Sequence, residues 1–224
     1  MVKCVVFDFD GTLVDSNSIK RETFFEIARS WDPSGAIAGD VLERWPSANR
    51  YEKTRRIAEA LTQQNLLPPG SDLEKWAERL ADNYTERCEA AISRCPEMPG
   101  AGQMLVRLAD TRLRLFVNSA TPIKPLQRLL SLRRWEKIFH GSYGAEAAKA
   151  DNLLAIAMAT GAEPGEIVHV GDQLDDQRAA EQIGCHFVAM LADRAASSIT
   201  EAALVIEDLR EMPALITKIS GEPL

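Results

Sequence analysis

The sequence predicts an α/β fold, in which a parallel β-sheet is covered by helices on both faces and a helical block follows the first strand. From residue 97 onward, short apolar runs alternate with helical patterns, which is typical of parallel sheets because their strands are buried on both faces. Residues 16–92, by contrast, follow helical periodicity with no strand candidate between them. We therefore expect a core domain at 1–15 and 97–224 and a helical domain at 16–96.

The core begins with an apolar strand at residues 2–7, and Pro96 and Pro99-Gly100 mark its boundary with the helical block. Its later strands are expected at 113–117, 138–142, 167–170, 187–191 and 204–206. Its helices are expected at 101–109, 125–132, 151–160, 176–183 and 209–219. In the helical block, Ser71 with Glu74 three residues later predicts the start of one helix through a capping box.

One helix of the block contains the most basic run of the chain, residues 50–56. The helical period predicts that Tyr51, Ile57 and Leu61 face the interior. Arg50 and Lys53 then lie on a neighbouring face, where they are either solvated or available to a ligand.

Composition and charge exclude several functional classes. The net charge of −7 and the pI of about 5.1, without a basic tail, are poorly suited to binding nucleic acid. No apolar run approaches the ~20 residues that span a membrane. The N-terminal apolar run lacks a signal-peptide cleavage site. We expect a cytoplasmic protein that binds neither nucleic acid nor membranes.

Polar and charged side chains stand where the predicted strands end. Asp8 and Asp10 follow the first strand, Ser119 follows the second, and Asp172 follows the strand at 167–170, while Lys149 precedes the helix that leads into that strand. The carboxyl ends of parallel strands share one edge, where ligands bind. Since a buried carboxylate needs a partner, this edge is the predicted site.

Phosphoryl transfer needs this combination of residue types. A carboxylate nucleophile and a phosphate monoester repel each other, and a magnesium ion held by oxygen ligands cancels much of that repulsion. A lysine and a hydroxyl can hold the remaining phosphate oxygens. A second carboxylic acid can protonate the leaving alkoxide and then activate water.

Four segments resemble the sequence motifs of the haloacid dehalogenase (HAD) superfamily, in particular its phosphoglycolate-phosphatase-like branch. They are Phe7–Ser16 (FDFDGTLVDS), Val117–Ala120 (VNSA), Lys149 and Val170–Asp176 (VGDQLDD). In this family prolines often follow the lysine of the third motif, and here Ala150 and Asn152 occupy those places. The resemblance implies a Rossmann-like parallel sheet core, the HAD fold, with an inserted all-helical cap domain at 16–96.

The resemblance also implies roles for the acidic residues. Asp8 would be the nucleophile and Asp10 the general acid and base. Both would bind Mg²⁺, Asp10 through its backbone carbonyl, together with Asp172. Asp176 would support the site from behind these ligands, with the adjacent Asp175 as the alternative.

Five further residues would hold the phosphoryl group by the same resemblance. Ser119 and Lys149 would do so as catalytic residues, and Gly11, Thr12 and Ala120 would add contacts to the phosphate.

The function implied is that of a magnesium-dependent phosphatase, a phosphoric monoester hydrolase that acts on a small phosphorylated metabolite through an aspartyl-phosphate intermediate. Asp10 argues against a dehalogenase, which needs no proton donor, and against phosphonatases, which resemble one another in having alanine there. A phosphosugar mutase of the same superfamily keeps both aspartates and is the main alternative. A catalytically idle protein that binds a partner is the second. The sequence carries no signal for oligomeric state.

Arg50 and Lys53 are the candidates for substrate specificity in the cap domain. One interpretation of the basic run is a solvated helix face. The other is that Arg50 and Lys53 bind an anionic part of the substrate's leaving group.

Overall fold

The computed structural model describes residues 1–46, 48–191, 199 and 201–222. The chain divides into two compact units. We call Met1–Asp15 together with Cys95–Leu224 the core unit, and Ser16–Arg94 the helical unit.

The helical unit consists of α1 (Asn17–Ala28), α2 (Ala36–Arg44), α3 (Arg50–Gln63) and α4 (Leu73–Ile92). Helix α3 packs along α4, α1 packs against α4, and α2 packs against α3. Phe24 of α1 and Tyr84 of α4 stack with their ring centroids 4.2 Å apart. The described part of this unit contains no strand, in agreement with its helical periodicity.

Two details of the helical unit differ from the prediction. Ile57 and Leu61 are buried as expected, but Tyr51 is 56% exposed. At 100° per residue Tyr51 lies about 70° from the centre of the buried stripe of α3, and it stands in the first turn of that helix. The N-cap of α4 is Asp72 rather than Ser71, because the Ser71 hydroxyl donates to the carbonyl of Pro68 and closes the preceding turn.

Among the described residues of the core unit, six strands form one parallel sheet in the order β3-β2-β1-β4-β5-β6. They are β1 (Cys4–Phe7), β2 (Arg114–Asn118), β3 (Gly141–Tyr143), β4 (Ile167–Gly171), β5 (His186–Met190) and β6 (Val205–Ile206). Phe7 at the end of β1 pairs with Val117 of β2 and with Val170 of β4. The three central strands therefore end level with one another.

The helices of the core unit are α5 (Ala101–Ala109), α6 (Ile123–Leu132), α7 (Lys149–Thr160), α8 (Leu174–Ile183) and α9 (Met212–Ser220). Helices α7 and α8 pack together, and Leu153, Ile156 and Ala179 on them share one buried cluster with Cys4 and Val6 of β1. Val5 and Phe7 point to the opposite face, since strand residues alternate, and they are fully buried as well. The predicted α/β class is confirmed.

Within the described ranges, no helix has the length and apolar character that crossing a membrane requires.

Candidate active site

The site is built at the carboxyl edge of the three central strands. Asp8 comes directly after β1, Ser119 after β2 and Asp172 after β4. The backbone N–H of Asp8 still donates to the carbonyl of Val170 at 2.8 Å, and that of Ser119 donates to Tyr143 at 3.0 Å. Sheet hydrogen bonding therefore fixes the backbone of two of these residues at the point where the strands end.

Lys149 joins three of the carboxylates. Its Nζ lies 2.6 Å from Oδ1 of Asp176, 3.3 Å from Oδ2 of Asp175 and 3.4 Å from Oδ1 of Asp8. Burial disfavours the ammonium form, but the carboxylates of Asp176, Asp8 and Asp175 outweigh it, so the pKa of Lys149 is raised well above its usual value. The lysine is thus a fixed positive charge beside the predicted nucleophile.

Asp8 is buried among like charges. Burial itself is the largest cause that raises the pKa of Asp8 well above its usual value, and Lys149 only partly offsets it. The carboxylates of Asp176, Asp172 and Asp10 raise this pKa further. A cation at this edge would favour the ionised form of Asp8, which is the form that a carboxylate nucleophile requires.

Asp176 is fully buried and its two oxygens have different partners. Oδ1 accepts from Lys149 and faces Nε2 of His169 at 3.0 Å, while Oδ2 accepts from the backbone N–H of Gln173 at 3.2 Å. Burial would raise the pKa of Asp176, but Lys149 and His169 outweigh it and lower that pKa. A side chain at Gly171 would collide with Asp176, since a Cβ built there lies 2.6 Å from Oδ2. The strand must therefore end in glycine for Asp176 to pack beneath it.

His169 is a residue of the site whose contribution the sequence does not indicate. Its ring is fully buried, with Nδ1 3.2 Å from the carbonyl of Val6 and Nε2 beside Asp176. A carbonyl and a carboxylate only accept hydrogen bonds, so a ring N–H of His169 finds an acceptor at either nitrogen. The sequence places His169 in the core, but only the packing of α8 brings Asp176 to it.

Asp10 is held by two hydroxyl groups from the loop after β2. Its Oδ2 accepts from Oγ1 of Thr121 at 2.9 Å and from Oγ of Ser119 at 3.4 Å. The sequence predicts Ser119 but not Thr121. A hydroxyl two residues beyond Ser119 is the signal that points to Thr121, because it lies in the same loop at the same strand end.

The acidic residues fit a divalent cation. Carboxylate oxygens of Asp8, Asp172 and Asp176 all lie within 4.8 Å of one another. Oδ1 of Asp176 is shared by two nitrogens, Nζ of Lys149 and Nε2 of His169, and the residue is fully buried, which favours Asp8 and Asp172 as the ligands. Asp172 is oriented by the hydroxyl of Thr12 at 3.3 Å and the amide of Gln173 at 2.7 Å. A cluster of carboxylate oxygens suits Mg²⁺, a hard cation that prefers oxygen ligands.

The three further residues expected to contact phosphate, Gly11, Thr12 and Ala120, have different surroundings in the structure. Gly11 has φ of 80° and its N–H donates to Val14, so it shapes the turn after Asp10. Thr12 is buried with its hydroxyl on Asp172, whereas Ala120 is exposed in the loop after β2. Their contacts to a phosphate group stay predictions.

A pair of asparagines holds the start of α7, and with it Lys149. The amide of Asn118 donates to the carbonyl of Lys149 at 3.0 Å, and the amide of Asn152 donates to Oδ1 of Asn118 at 3.0 Å. Asn152 also donates to the carbonyl of Gly144 at 3.0 Å. Asn152, at a place where relatives often have proline, therefore ties the helix to the end of β2.

The specificity candidates lie in the helical unit. Arg50 donates to the hydroxyl of Thr85 at 3.2 Å, and its guanidinium lies 5.3 Å from the centroid of the Tyr84 ring. Lys53 donates to the carbonyl of Pro46 at 2.7 Å. Burial, together with the charge of Lys20, lowers the pKa of Lys53.

Comparison with known proteins agrees with this site. The family model of haloacid dehalogenase-like hydrolases matches residues 2–184. A phosphoglycolate phosphatase of Synechococcus elongatus is 26% identical over 192 residues, with 84% of each protein covered.

Two solved structures share the fold. A structure named as a predicted phosphoglycolate phosphatase, from Haemophilus somnus 129PT, superposes with a TM-score of 0.76 at 19% identity and covers 96% of this chain and 98% of its own. The β-phosphoglucomutase of Clostridium difficile superposes with a TM-score of 0.73 at 17% identity, with 99% and 98% covered. From the family match over residues 2–184 and the carboxylate edge described above, the chain belongs to the haloacid dehalogenase-like hydrolase family.

Proposed function

We propose that the protein is a magnesium-dependent phosphatase that hydrolyses a small phosphorylated metabolite through an aspartyl-phosphate intermediate. The observation that carries the proposal is Lys149, whose ammonium lies between Asp8 and Asp176 at the strand edge that also presents Asp172. This edge supplies a nucleophile, a fixed positive charge and oxygen ligands for a cation within one small space. Mg²⁺ held by Asp8, Asp172 and the carbonyl of Asp10 would offset the repulsion between the phosphate and Asp8.

The first chemical step transfers the phosphoryl group to the enzyme. The Asp8 carboxylate attacks phosphorus, a bond forms between them, and the bond from phosphorus to the ester oxygen breaks. Asp10 gives its proton to that oxygen, so the substrate leaves as an alcohol. Lys149 and Ser119 hold the equatorial phosphoryl oxygens, where negative charge is spread in the transition state.

The second step returns the enzyme to its starting state. Asp10, now a carboxylate, removes a proton from water while the water oxygen attacks phosphorus. The bond between phosphorus and the Asp8 oxygen breaks, and inorganic phosphate leaves. Asp10 regains its proton in this step, which closes the cycle.

The helical unit is proposed to be the cap domain, and Arg50 and Lys53 to contact an anionic part of the leaving group. Both cations already have partners inside the unit, Thr85 for Arg50 and the Pro46 carbonyl for Lys53. A double variant with alanine at both positions should raise KM for the natural substrate while leaving p-nitrophenyl phosphate, which has no second anionic group, unaffected. Wild-type kcat/KM on the natural substrate would rule out this role.

The test of the proposed function is phosphate release from a panel of phosphate monoesters, with Mg²⁺ and with EDTA. The name of the Synechococcus relative makes 2-phosphoglycolate the first compound to try. Turnover that needs Mg²⁺ and disappears in Asp8→Asn, with the fold intact by circular dichroism, supports the proposal. Conversion of a sugar phosphate into its isomer without phosphate release would favour the mutase instead, and no turnover of any panel compound would favour a binding protein.

A further inference from the structure

The hydroxyl of Thr121 lies beside Asp10, but the catalytic scheme gives Thr121 no role. We propose that Thr121 is a positioning residue for proton transfer, because its hydroxyl fixes the carboxyl group of Asp10 in the orientation that protonates the leaving group. This inference rests on the phosphatase activity proposed above and on the acid and base role of Asp10 within it.

Each polar group of Thr121 has a defined partner. The hydroxyl donates to Oδ2 of Asp10 at 2.9 Å, and the backbone N–H donates to Oγ of Ser119 at 3.1 Å. The backbone carbonyl accepts from the N–H of Ala145 at 3.2 Å. With the residue only 3% exposed, these contacts hold the hydroxyl in one direction, toward Asp10.

The hydroxyls of Ser119 and Thr121 both contact Asp10, but they differ in distance and in proposed role. Oγ of Ser119 is 3.4 Å from Oδ2 of Asp10, which is at the long end for a hydrogen bond between oxygens. Ser119 is also the residue proposed to donate to the phosphoryl group, and a hydroxyl has one proton to give. When Ser119 turns its proton to the phosphate, Thr121 is the hydroxyl that still holds Asp10.

The direction of the Thr121 hydrogen bond also decides where the acidic proton of Asp10 belongs. While the Thr121 hydroxyl donates to Oδ2, this oxygen is engaged as an acceptor, which favours Oδ1 as the oxygen that carries the proton of the carboxylic acid. Loss of the Thr121 hydroxyl removes the 2.9 Å hydrogen bond to Oδ2 and, with it, this preference. The chemical consequence is a weaker general acid, with Asp8, Lys149 and the cation site left in place.

A weaker general acid affects substrates unequally. An alkoxide is strongly basic and needs a proton as it leaves, whereas p-nitrophenolate leaves without one. The value of kcat/KM reports the steps through transfer to Asp8, while kcat also includes the later hydrolysis, in which Asp10 acts as a base. The signature of Thr121 is therefore a loss of kcat/KM that is confined to alkyl esters.

The experiment compares Thr121→Val, which keeps the shape and loses the hydroxyl, with Thr121→Ser, which keeps the hydroxyl. Both are assayed with the best alkyl phosphate of the panel and with p-nitrophenyl phosphate. We expect Thr121→Val to lose roughly tenfold in kcat/KM on the alkyl ester, the upper end of the range for one hydrogen bond between neutral groups, since Asp10 is protonated in this step. On p-nitrophenyl phosphate it should lose no more than about threefold in kcat/KM. Thr121→Ser should stay within about threefold of wild type on both esters because its hydroxyl keeps the bond.

Asp10→Asn and thermal unfolding separate the possible outcomes. Asp10→Asn should show the same selectivity with a larger loss, which tests the acid role independently of Thr121. If Asp10→Asn is selective and Thr121→Val is not, the inference about Thr121 is wrong and the proposed function stands. If Asp10→Asn is not selective, the acid role itself fails. An equal loss on both esters in Thr121→Val, or the same selective loss in Thr121→Ser, would also overturn the positioning role.

Discussion

Nε2 of His169 lies 3.0 Å from Oδ1 of Asp176, the same oxygen that Lys149 approaches to 2.6 Å. Two nitrogen donors thus share one buried oxygen, and the ring of His169 is anchored on its other side by the carbonyl of Val6. The histidine therefore stabilises the carboxylate that holds Lys149, the lysine proposed to act in catalysis.

Replacement of His169 should impair the position of Lys149 in proportion to the donors that are lost. His169→Leu removes the ring nitrogen that faces Asp176, and we expect roughly a tenfold loss of kcat/KM and about 1–3 kcal/mol of stability, since Oδ1 of Asp176 loses one of its two nitrogen partners. His169→Gln keeps an amide donor and should recover part of both. Steady-state kinetics with thermal unfolding tests this, and equal damage in the two variants would show that only the volume of the ring matters.

Gly171→Ala should disrupt the site through Asp176. The added methyl group collides with the Asp176 carboxylate, and an overpacked core site costs about 1–3 kcal/mol. We expect a lower unfolding midpoint together with reduced kcat. Gly165→Ala is the matched control, because a Cβ at Gly165 meets no atom within 4 Å. Similar behaviour of the two variants would contradict the packing argument.

Asp8→Asn should stabilise the protein in EDTA while abolishing turnover. The pKa of Asp8 is raised in the folded state, chiefly by burial, so its contribution to stability is complete below the unfolded value of about 3.9 and is lost as pH rises through the higher folded pKa. Asparagine carries no charge at any of these pH values, so the Asp8→Asn variant does not lose this stability as the pH rises. The unfolding midpoint of the variant should therefore exceed that of wild type at pH 7, by about 2–4 °C for each kcal/mol relieved.

The difference between Asp8→Asn and wild type should shrink as the pH falls and should vanish below about 3.9, because there Asp8 is protonated in both states of the wild-type protein. Differential scanning fluorimetry at several pH values measures it. A variant that is less stable than wild type at pH 7 would show that the contact of Asp8 with Lys149 outweighs the repulsion from the neighbouring carboxylates.

Magnesium should stabilise the wild-type protein through Asp172. Binding to the folded state alone, at ten times Kd, raises the unfolding midpoint by about 3–6 °C. Asp172→Asn should remove most of this shift, since a carboxylate ligand is lost. The exposed Asp110, at the end of α5, provides the control variant Asp110→Asn. Retention of the full shift in Asp172→Asn would mean that the cation binds elsewhere.

The sequence predicts the parts of the molecule that local pattern determines. The buried strand β1 is a continuous apolar run, and β4 is apolar apart from His169 and its final Gly171. Asp8 and Asp172 follow these strands directly, so the shared carboxyl edge of a parallel sheet brings them together. Lys149 is predicted from its place before α7, although the prolines common in relatives are missing. The amide contacts of Asn152 with Asn118 and Gly144 show how this chain fixes that helix without them.

Local pattern places Thr121 at the correct strand end, but it predicts neither the contact of Thr121 with Asp10 nor that of His169 with Asp176. Thr121 matters because its hydroxyl points back toward a different strand end, and His169 matters because α8 carries Asp176 to its ring. Both relationships join residues whose proximity arises only in the packed sheet. The prediction that Tyr51 faces the interior is wrong for a related reason. Helical spacing places Tyr51 near the buried stripe of α3, but a residue in the first turn of a helix need not be covered by the elements that bury that stripe.

The central position of β1 has a consequence for the order of folding. Its neighbours are β2, which ends at residue 118, and β4, which ends at residue 171, in a chain of 224 residues. One edge of β1 therefore has no partner until about half of the chain has left the ribosome, and the other has none until about three quarters has left it. An apolar strand with an open edge is prone to pair with other chains. The helical unit has only local connections and can fold early, while the catalytic edge is among the last features to assemble. A truncated chain that ends before β4 would therefore aggregate rather than retain partial activity.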